Sequence, residues 1–458
     1  MFRESDGTRW IYAFYLALLV WIPIPLGSNR AWSWALAEIW ILVLSMAWLA
    51  GHFRGRFTIG PTIPHVRPVL ACMVVWVGYV WLQSVPLPMG LLKLLSPEAW
   101  RWHSIAAFPS SVDFAPLALD RHGALDAACK STAYAGFFAL GLALMRDRDR
   151  IRLATHALIL SGVIQALYGA FTCFQNLNGW ASGTFVNRNH YAAYLVMCLS
   201  VGIGVLIASL SGAVHRDWRE LLRELARWAI TPKMALRLFL VTMVVALVLS
   251  RSRMGNMAFF AALLVTGAIA LFLSRKATRS MVLLIASLIA IDVFVIGAYF
   301  GSQRLMERIG ETSLVLEDRD ELAVYAIRMW REFPVFGAGM GSFSSVFPRY
   351  SAEGTPAAYT HAHNDYLEFA AEAGLVGLAP LAVAVVLSFG AALRAQYRRR
   401  DPVMRGVSFA AMMGILALMI HSATDFNLQI PAIALTFMQV LSFAWASLYC
   451  GATEGEGA

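Results

Sequence analysis

Runs of about 18 to 22 apolar residues recur from one end of this chain to the other, and a helix of that length crosses a hydrocarbon core of roughly 30 Å. Twelve such runs lie near residues 10–27, 31–50, 66–85, 127–145, 152–173, 190–211, 235–250, 256–274, 281–301, 365–390, 406–422 and 431–450. Lipid offers no water to unpaired backbone groups, so only helices or a closed barrel can span it. No period-two alternation accompanies these runs, which argues against the barrel. The composition agrees: 59% of the 458 residues are hydrophobic and 14% charged, with a mean hydropathy of +0.62. The expected fold is therefore an all-α integral membrane protein of about 12 transmembrane helices, a single polytopic domain over residues 1–458 without internal repeats.

Twelve crossings put both ends of the chain on one side, and the lysines and arginines choose that side. One set of alternate connections holds Arg3 and Arg9, Arg54, Arg56 and Arg67, the series Arg146 to Arg152, Arg216 to Arg237, Arg275 to Arg279, and Arg394 to Arg405. Together they carry more than half of the 37 basic residues, so this set is expected to be cytoplasmic, with both termini. The pI of about 9.5 then reflects topology and contact with membrane lipids, not nucleic-acid binding. The first run is long and lacks a small-residue cleavage site, so it reads as a retained span. The five cysteines are odd in number and scattered, which suggests neither a disulfide framework nor zinc spacing.

Three non-spanning segments stand out. Residues 212–234 place Trp218, Leu221, Leu222, Leu225 and Trp228 on one helical face and four arginines on another, as in a cytoplasmic helix lying on an anionic leaflet. Residues 86–126 fall on the outer side, where Ser96-Pro97-Glu98 predicts a capped helix and Trp100 and Trp102 mark the interface. Residues 302–364 form the large outer loop between the ninth and tenth spans, with a helix expected from an Asp318/Glu321 capping box. The Gly337-Gly339-Gly341 series follows no strand, so it reads as a flexible turn rather than a phosphate cradle.

Chemistry concentrates where charge breaks the positive-inside pattern. "GTFVNRNHYAAYL" sets Arg188 and His190 at the outer start of the sixth span, and "VLSRSRMGN" sets Arg251 and Arg253 in the turn before the eighth. Ionisable groups at such depth are costly unless paired or facing a wet cavity. "YTHAHNDYLEFAAEAGLVGL" brings His361, His363 and Asn364 to the mouth of the tenth span, where Asp365, Glu368 and Glu372 follow at i, i+3, i+7. That spacing stacks three acids on one stripe, which must face the bundle interior, with Gly374 and Gly377 allowing close helix approach below. "HSATDFN" adds His421, Asp425 and Asn427 at the end of the eleventh span, as a structural network. Arginines grip phosphate oxygens bidentately, and a histidine is a general base near neutral pH. Zinc ligation by His361, His363 and Asp365 is an alternative, as is a structural hydrogen-bonding role.

These motifs, together with "FPVFGAGMGSF" and "HSATDFNLQIP", resemble the bacterial O-antigen ligase and O-antigen polymerase-like membrane glycosyltransferases over roughly residues 70 to 445. The resemblance implies a GT-C-like all-helical enzyme with a large periplasmic loop, acting on undecaprenyl-diphosphate-linked glycans with inversion and without metal or other cofactor. It makes Arg188 and Arg253, with Arg251, the diphosphate-binding residues, His363 the base, and His361 a second candidate. His190, Asn364 and Asp365 complete the expected substrate-binding set. The extended segment at 86–126 is absent from shorter ligases.

The function expected is transfer of a glycan from undecaprenyl diphosphate to an acceptor hydroxyl (another glycan, lipid A-core or a protein) at the periplasmic face of the inner membrane. A transporter or flippase of lipid-linked sugars is the alternative; it calls for basic residues through the depth of several spans and matched broken helices.

Overall fold

The computed structural model describes residues 7–175, 179–210, 232–273, 313–351 and 359–452. Among these, eight helices are long and apolar enough to cross a membrane, and two shorter apolar helices accompany them. In chain order the helices are α1 (Arg9–Trp21), α2 (Ala31–Phe53), α3 (Arg67–Ser84), α4 (Met89–Leu95), α5 (Pro97–Ala107), α6 (Arg121–Leu144), α7 (Arg148–Phe174) and α8 (Arg188–Leu210). They continue with α9 (Pro232–Leu249), α10 (Arg253–Leu273), α11 (Ser313–Glu332), α12 (Phe343–Val346), α13 (Asp365–Arg398), α14 (Pro402–Ser422) and α15 (Pro431–Tyr449). Eleven of the twelve expected spans fall on a helix, and the run at 281–301 lies outside the described residues. So does most of the expected amphipathic segment at 212–234. The first span stops at Trp21 rather than 27, because Pro23 and Pro25 cannot continue a helix.

The most enclosed helices are α8, α14 and α15, packed around Tyr191, Tyr194, Phe409, Phe437 and Phe443. Small residues allow the closest crossing: Gly204 and Gly406 face each other's backbone, leaving no room for a side chain.

The described connections lie at the two opposite ends of the bundle. At the arginine-rich end Arg150 donates to the Leu144 carbonyl and to Thr8 Oγ1, both at 2.8 Å. There Arg399 caps α15 through the Leu448 and Cys450 carbonyls at 3.0 Å. At the other end the Ala181 amide meets the Leu249 carbonyl at 2.9 Å, and the Asp365 amide meets the Asp425 carbonyl at 3.2 Å.

Segments expected as two separate outer elements form one layer on that second end. Leu92, Ala99, Leu117, Leu322, Met329, Phe333, Phe343 and Phe347 share a small apolar core. Strands β1 (Leu87–Pro88) and β2 (Phe114–Ala115) pair antiparallel at its edge. Ser96 caps α5 as expected, its hydroxyl accepting from the Ala99 amide. The Asp318/Glu321 start is corrected: α11 begins at Ser313, so both acids lie within the helix.

The tenth span is not continuous. It breaks at Gly374 (φ 62°, ψ −171°), a conformation closed to residues with a Cβ. The loop 334–341 fills the break. Leu375 and Val376 amides donate to the Pro334 and Val335 carbonyls at 3.0 Å, while Ala338 and Gly339 amides donate to the Ala371 and Glu372 carbonyls at 2.9 Å. Groups orphaned at both new helix ends are thus satisfied. From α3, Gln83 Nε2 donates to the Phe336 and Glu372 carbonyls at 2.9 and 3.1 Å, and its Oε1 accepts from the Met340 amide at 3.1 Å. The glycine series is therefore a fitted wedge, not a loose turn: a Cβ on Gly337 would overlap the Glu372 carbonyl.

Candidate functional site

Three chain segments converge at the second end. Asn187 opens α8, its Oδ1 accepting from the Asn189 amide at 2.8 Å. Asn364 caps α13, its Oδ1 accepting from the Leu367 amide at 3.1 Å and its Nδ2 donating to the Ala423 carbonyl at 2.9 Å. Between α14 and α15 runs the turn that carries Asp425 and Phe426. The backbone of His363 is left-handed (φ 49°), as is that of Arg251 (φ 52°). Non-glycine residues held this way cost of order 1 kcal/mol or more and cluster at functional sites.

Phe426 is the hub. His361 stacks on it at 4.2 Å between ring centroids with 17° between planes, whereas His363 and His190 meet it edgewise at 4.8 and 4.5 Å. Two carboxylates orient the rings. His363 Nδ1 lies 3.2 Å from Asp425 Oδ1, and His361 Nδ1 lies 2.7 Å from Glu368 Oε1. With each carboxylate accepting, Nδ1 carries the proton and Nε2 is the outward nitrogen. Side chains of His361 and His363 are 28% and 26% exposed, so both are within reach from outside.

Asp425 is buried and engaged on every side. Oδ2 accepts from Asn189 Nδ2 at 2.7 Å, Oδ1 accepts from the Phe426 amide at 3.0 Å, and His190 Nε2 stands 3.6 Å away. Burial opposes ionisation there, but the adjoining imidazoles His190 and His363 outweigh it and hold the carboxyl well below the usual carboxylate range.

The acid stripe does face inward: Asp365, Glu368 and Glu372 are all buried. Each has its own partner. Asp365 accepts from the Leu428 amide at 3.2 and 3.1 Å, Glu368 takes His361 and the Ala362 amide, and Glu372 accepts from the Phe343 amide at 2.8 Å. Among the described residues no three His, Cys, Asp or Glu side chains form a group able to hold a metal ion. His361 and His363 turn to different carboxylates instead.

Arg188 is the first residue of α8, its guanidinium 4.8 Å over the Trp180 ring and two residues ahead of His190. Arg251 is exposed in the turn before α10, and Arg253 is the half-buried first residue of that helix. The start of α10 touches α8, with Gly255 directly against Ala192.

The structure thus gathers His190, His361, His363, Asn364 and Asp365 around one turn, with Arg188 two residues ahead of His190 on α8, Arg251 in the turn before α10 and Arg253 at the start of α10. Asn364 and Asp365, expected at the substrate, have their polar atoms occupied by backbone partners. Phe426, Asn189 and the pairing of Glu368 with His361 escaped the sequence reading. The signal available was adjacency: Phe426 follows Asp425, and Asn189 precedes His190. Replacing Asn364 by alanine removes a helix cap and the tie to Ala423. The expected cost is about 1 to 2 kcal/mol, read as a lowered unfolding temperature of the purified protein.

Fold and site together define an all-helical multi-pass membrane protein with a histidine–carboxylate centre at one end of its bundle. Residues 238–382 match the model of the O-antigen ligase family, a span holding Arg251, Arg253, His361 and His363, and this supports the O-antigen ligase and polymerase-like family of glycosyltransferase-like enzymes. Comparison with curated proteins finds no match.

Proposed function

We propose that this chain is an inner-membrane glycosyltransferase that moves a preassembled glycan from undecaprenyl diphosphate onto an acceptor hydroxyl at the periplasmic face, with inversion and without metal or cofactor. The observation that carries the proposal is the His363–Asp425 pair: a buried ionised carboxylate orients an accessible imidazole, the arrangement a general base requires. The acceptor hydroxyl gives its proton to His363 Nε2 as its oxygen attacks the anomeric carbon from the face opposite the diphosphate. Arg188 and Arg253, assisted by Arg251, bind the diphosphate and stabilise the charge it gains on leaving. His190 supports Asp425, and Asn364 and Asp365 hold the walls. The arginine-rich end is the cytoplasmic one on this reading, which puts both termini inside and the layer of α4, α5, α11 and α12 outside. The acceptor is a second lipid-linked glycan, lipid A-core or a protein side chain.

Purified protein with an undecaprenyl-diphosphate-linked glycan tests the proposal. His363→Ala is expected to lower turnover about 10²- to 10⁴-fold with donor binding retained, whereas Arg188→Ala and Arg253→Ala weaken donor binding itself. Undiminished turnover in the histidine variant refutes the base assignment. The surface glycan of a deletion strain then separates the acceptors: single repeats on core indicate a polymerase, and lipid-linked polymer with bare core indicates a ligase.

A further inference from the structure

The site contains not one histidine–carboxylate pair but two, set against the same phenyl ring, and they differ. Among the described residues Glu368 Oε1 accepts from His361 and Oε2 from the Ala362 amide at 2.8 Å. The 2.7 Å separation is that of a charge-assisted hydrogen bond to a carboxylate. Asp425, by contrast, divides its charge among Asn189, the Phe426 amide, His190 and His363, and its contact with His363 is 3.2 Å. One carboxylate oxygen is thus committed to a single imidazole, whereas the other carboxylate is divided among four partners.

Resting on the glycosyl-transfer reading, we propose that His361, held by Glu368, is the general acid that protonates the departing diphosphate, while His363 is the base. The acceptor oxygen bonds to the anomeric carbon, and the bond from that carbon to the bridging oxygen breaks with its electron pair left on phosphate. The acceptor proton passes to His363 Nε2, and His361 Nε2–H supplies a proton to the departing oxygen. The proton count balances within the site, and exchange with solvent after release resets both rings. Phe426 holds the two imidazoles at a fixed spacing without offering either a hydrogen-bond partner.

The titratable groups arranged around His361 are Glu368, with Asp365 and Glu372 along α13, and Asp425, His190 and His363 around Phe426. A pH profile of kcat/KM on the full-length protein is the first readout. Wild type gives a bell: the acid limb reports the base and the alkaline limb the acid. His361→Gln is expected to lose the alkaline limb and about 100-fold in kcat/KM at the optimum, whereas His363→Gln loses the acid limb. Glu368→Gln keeps the shape and one acceptor oxygen but removes the charge, so the alkaline limb moves to lower pH. A donor with sulfur in place of the bridging oxygen departs without needing a proton. It should therefore recover most of the His361→Gln deficit and none of the His363→Gln deficit. A His361→Gln enzyme that keeps both limbs and is not rescued by the sulfur donor overturns the acid assignment. A wild-type protein that transfers nothing from any lipid-diphosphate donor instead overturns the function itself, and this inference with it.

Discussion

Asp425→Ala is expected to abolish transfer as completely as loss of His363 and, unlike His363→Ala, to destabilise the protein as well. The carboxylate is the common partner of His363, His190, Asn189 and the Phe426 amide. Removing one member of a buried charged network leaves the others desolvated without compensation, a loss of about 3 to 5 kcal/mol. His363 also loses the group that selects its tautomer, which removes the basic nitrogen from its place. Asp425→Asn separates the two effects, because it keeps the shape and part of the hydrogen bonding while deleting the charge. The pH dependence has a definite sign. The native carboxyl titrates below its unfolded value of about 3.9. Its stabilisation is therefore fully present above about pH 4 and is lost as pH falls through the depressed native value. Unfolding temperatures of wild type and Asp425→Asn should converge in that acid range. Parallel curves down to the lowest accessible pH would mean that Asp425 carries no charge in the network.

The second large effect is expected at Gly374. Alanine there must adopt φ 62° and ψ −171°, and its Cβ would overlap the Val335 carbonyl and the Gly337 amide. Backbone strain contributes about 1 to 3 kcal/mol, and the wedge loop must also shift. That loop and the stretch carrying Asp365, Glu368 and Glu372 are tied together by backbone hydrogen bonds, so displacement reaches the site. Gly390 provides the control on the same helix: nothing lies within 4 Å of its missing Cβ, and alanine should be neutral or stabilising by about 0.5 to 1 kcal/mol. Gly374→Ala should fold poorly and transfer slowly, while Gly390→Ala should do neither. Equal unfolding temperatures for the two variants would show that the break is not needed for stability.

Much of this architecture is legible from residue order, for reasons that are local. Span positions follow from apolar runs. The acid stripe faces inward because i, i+3, i+7 spacing admits one face and lipid rejects it. The cap at Ser96 rests on neighbouring residues. What escaped was contact between segments far apart in the chain. The break at Gly374 depends on a loop some forty residues upstream that satisfies the opened backbone, and no periodicity in either stretch records it. Asp425 is 62 residues from His363 and 236 from Asn189, so its part in orienting the histidine has no local signature.

From order alone came the membrane, its helices, and the histidines, arginines and acids of the candidate site, because hydrophobic length and the cost of buried charge are properties of short segments. Only the tertiary structure decided which carboxylate serves which imidazole, since pairing is settled by distance across a packed bundle.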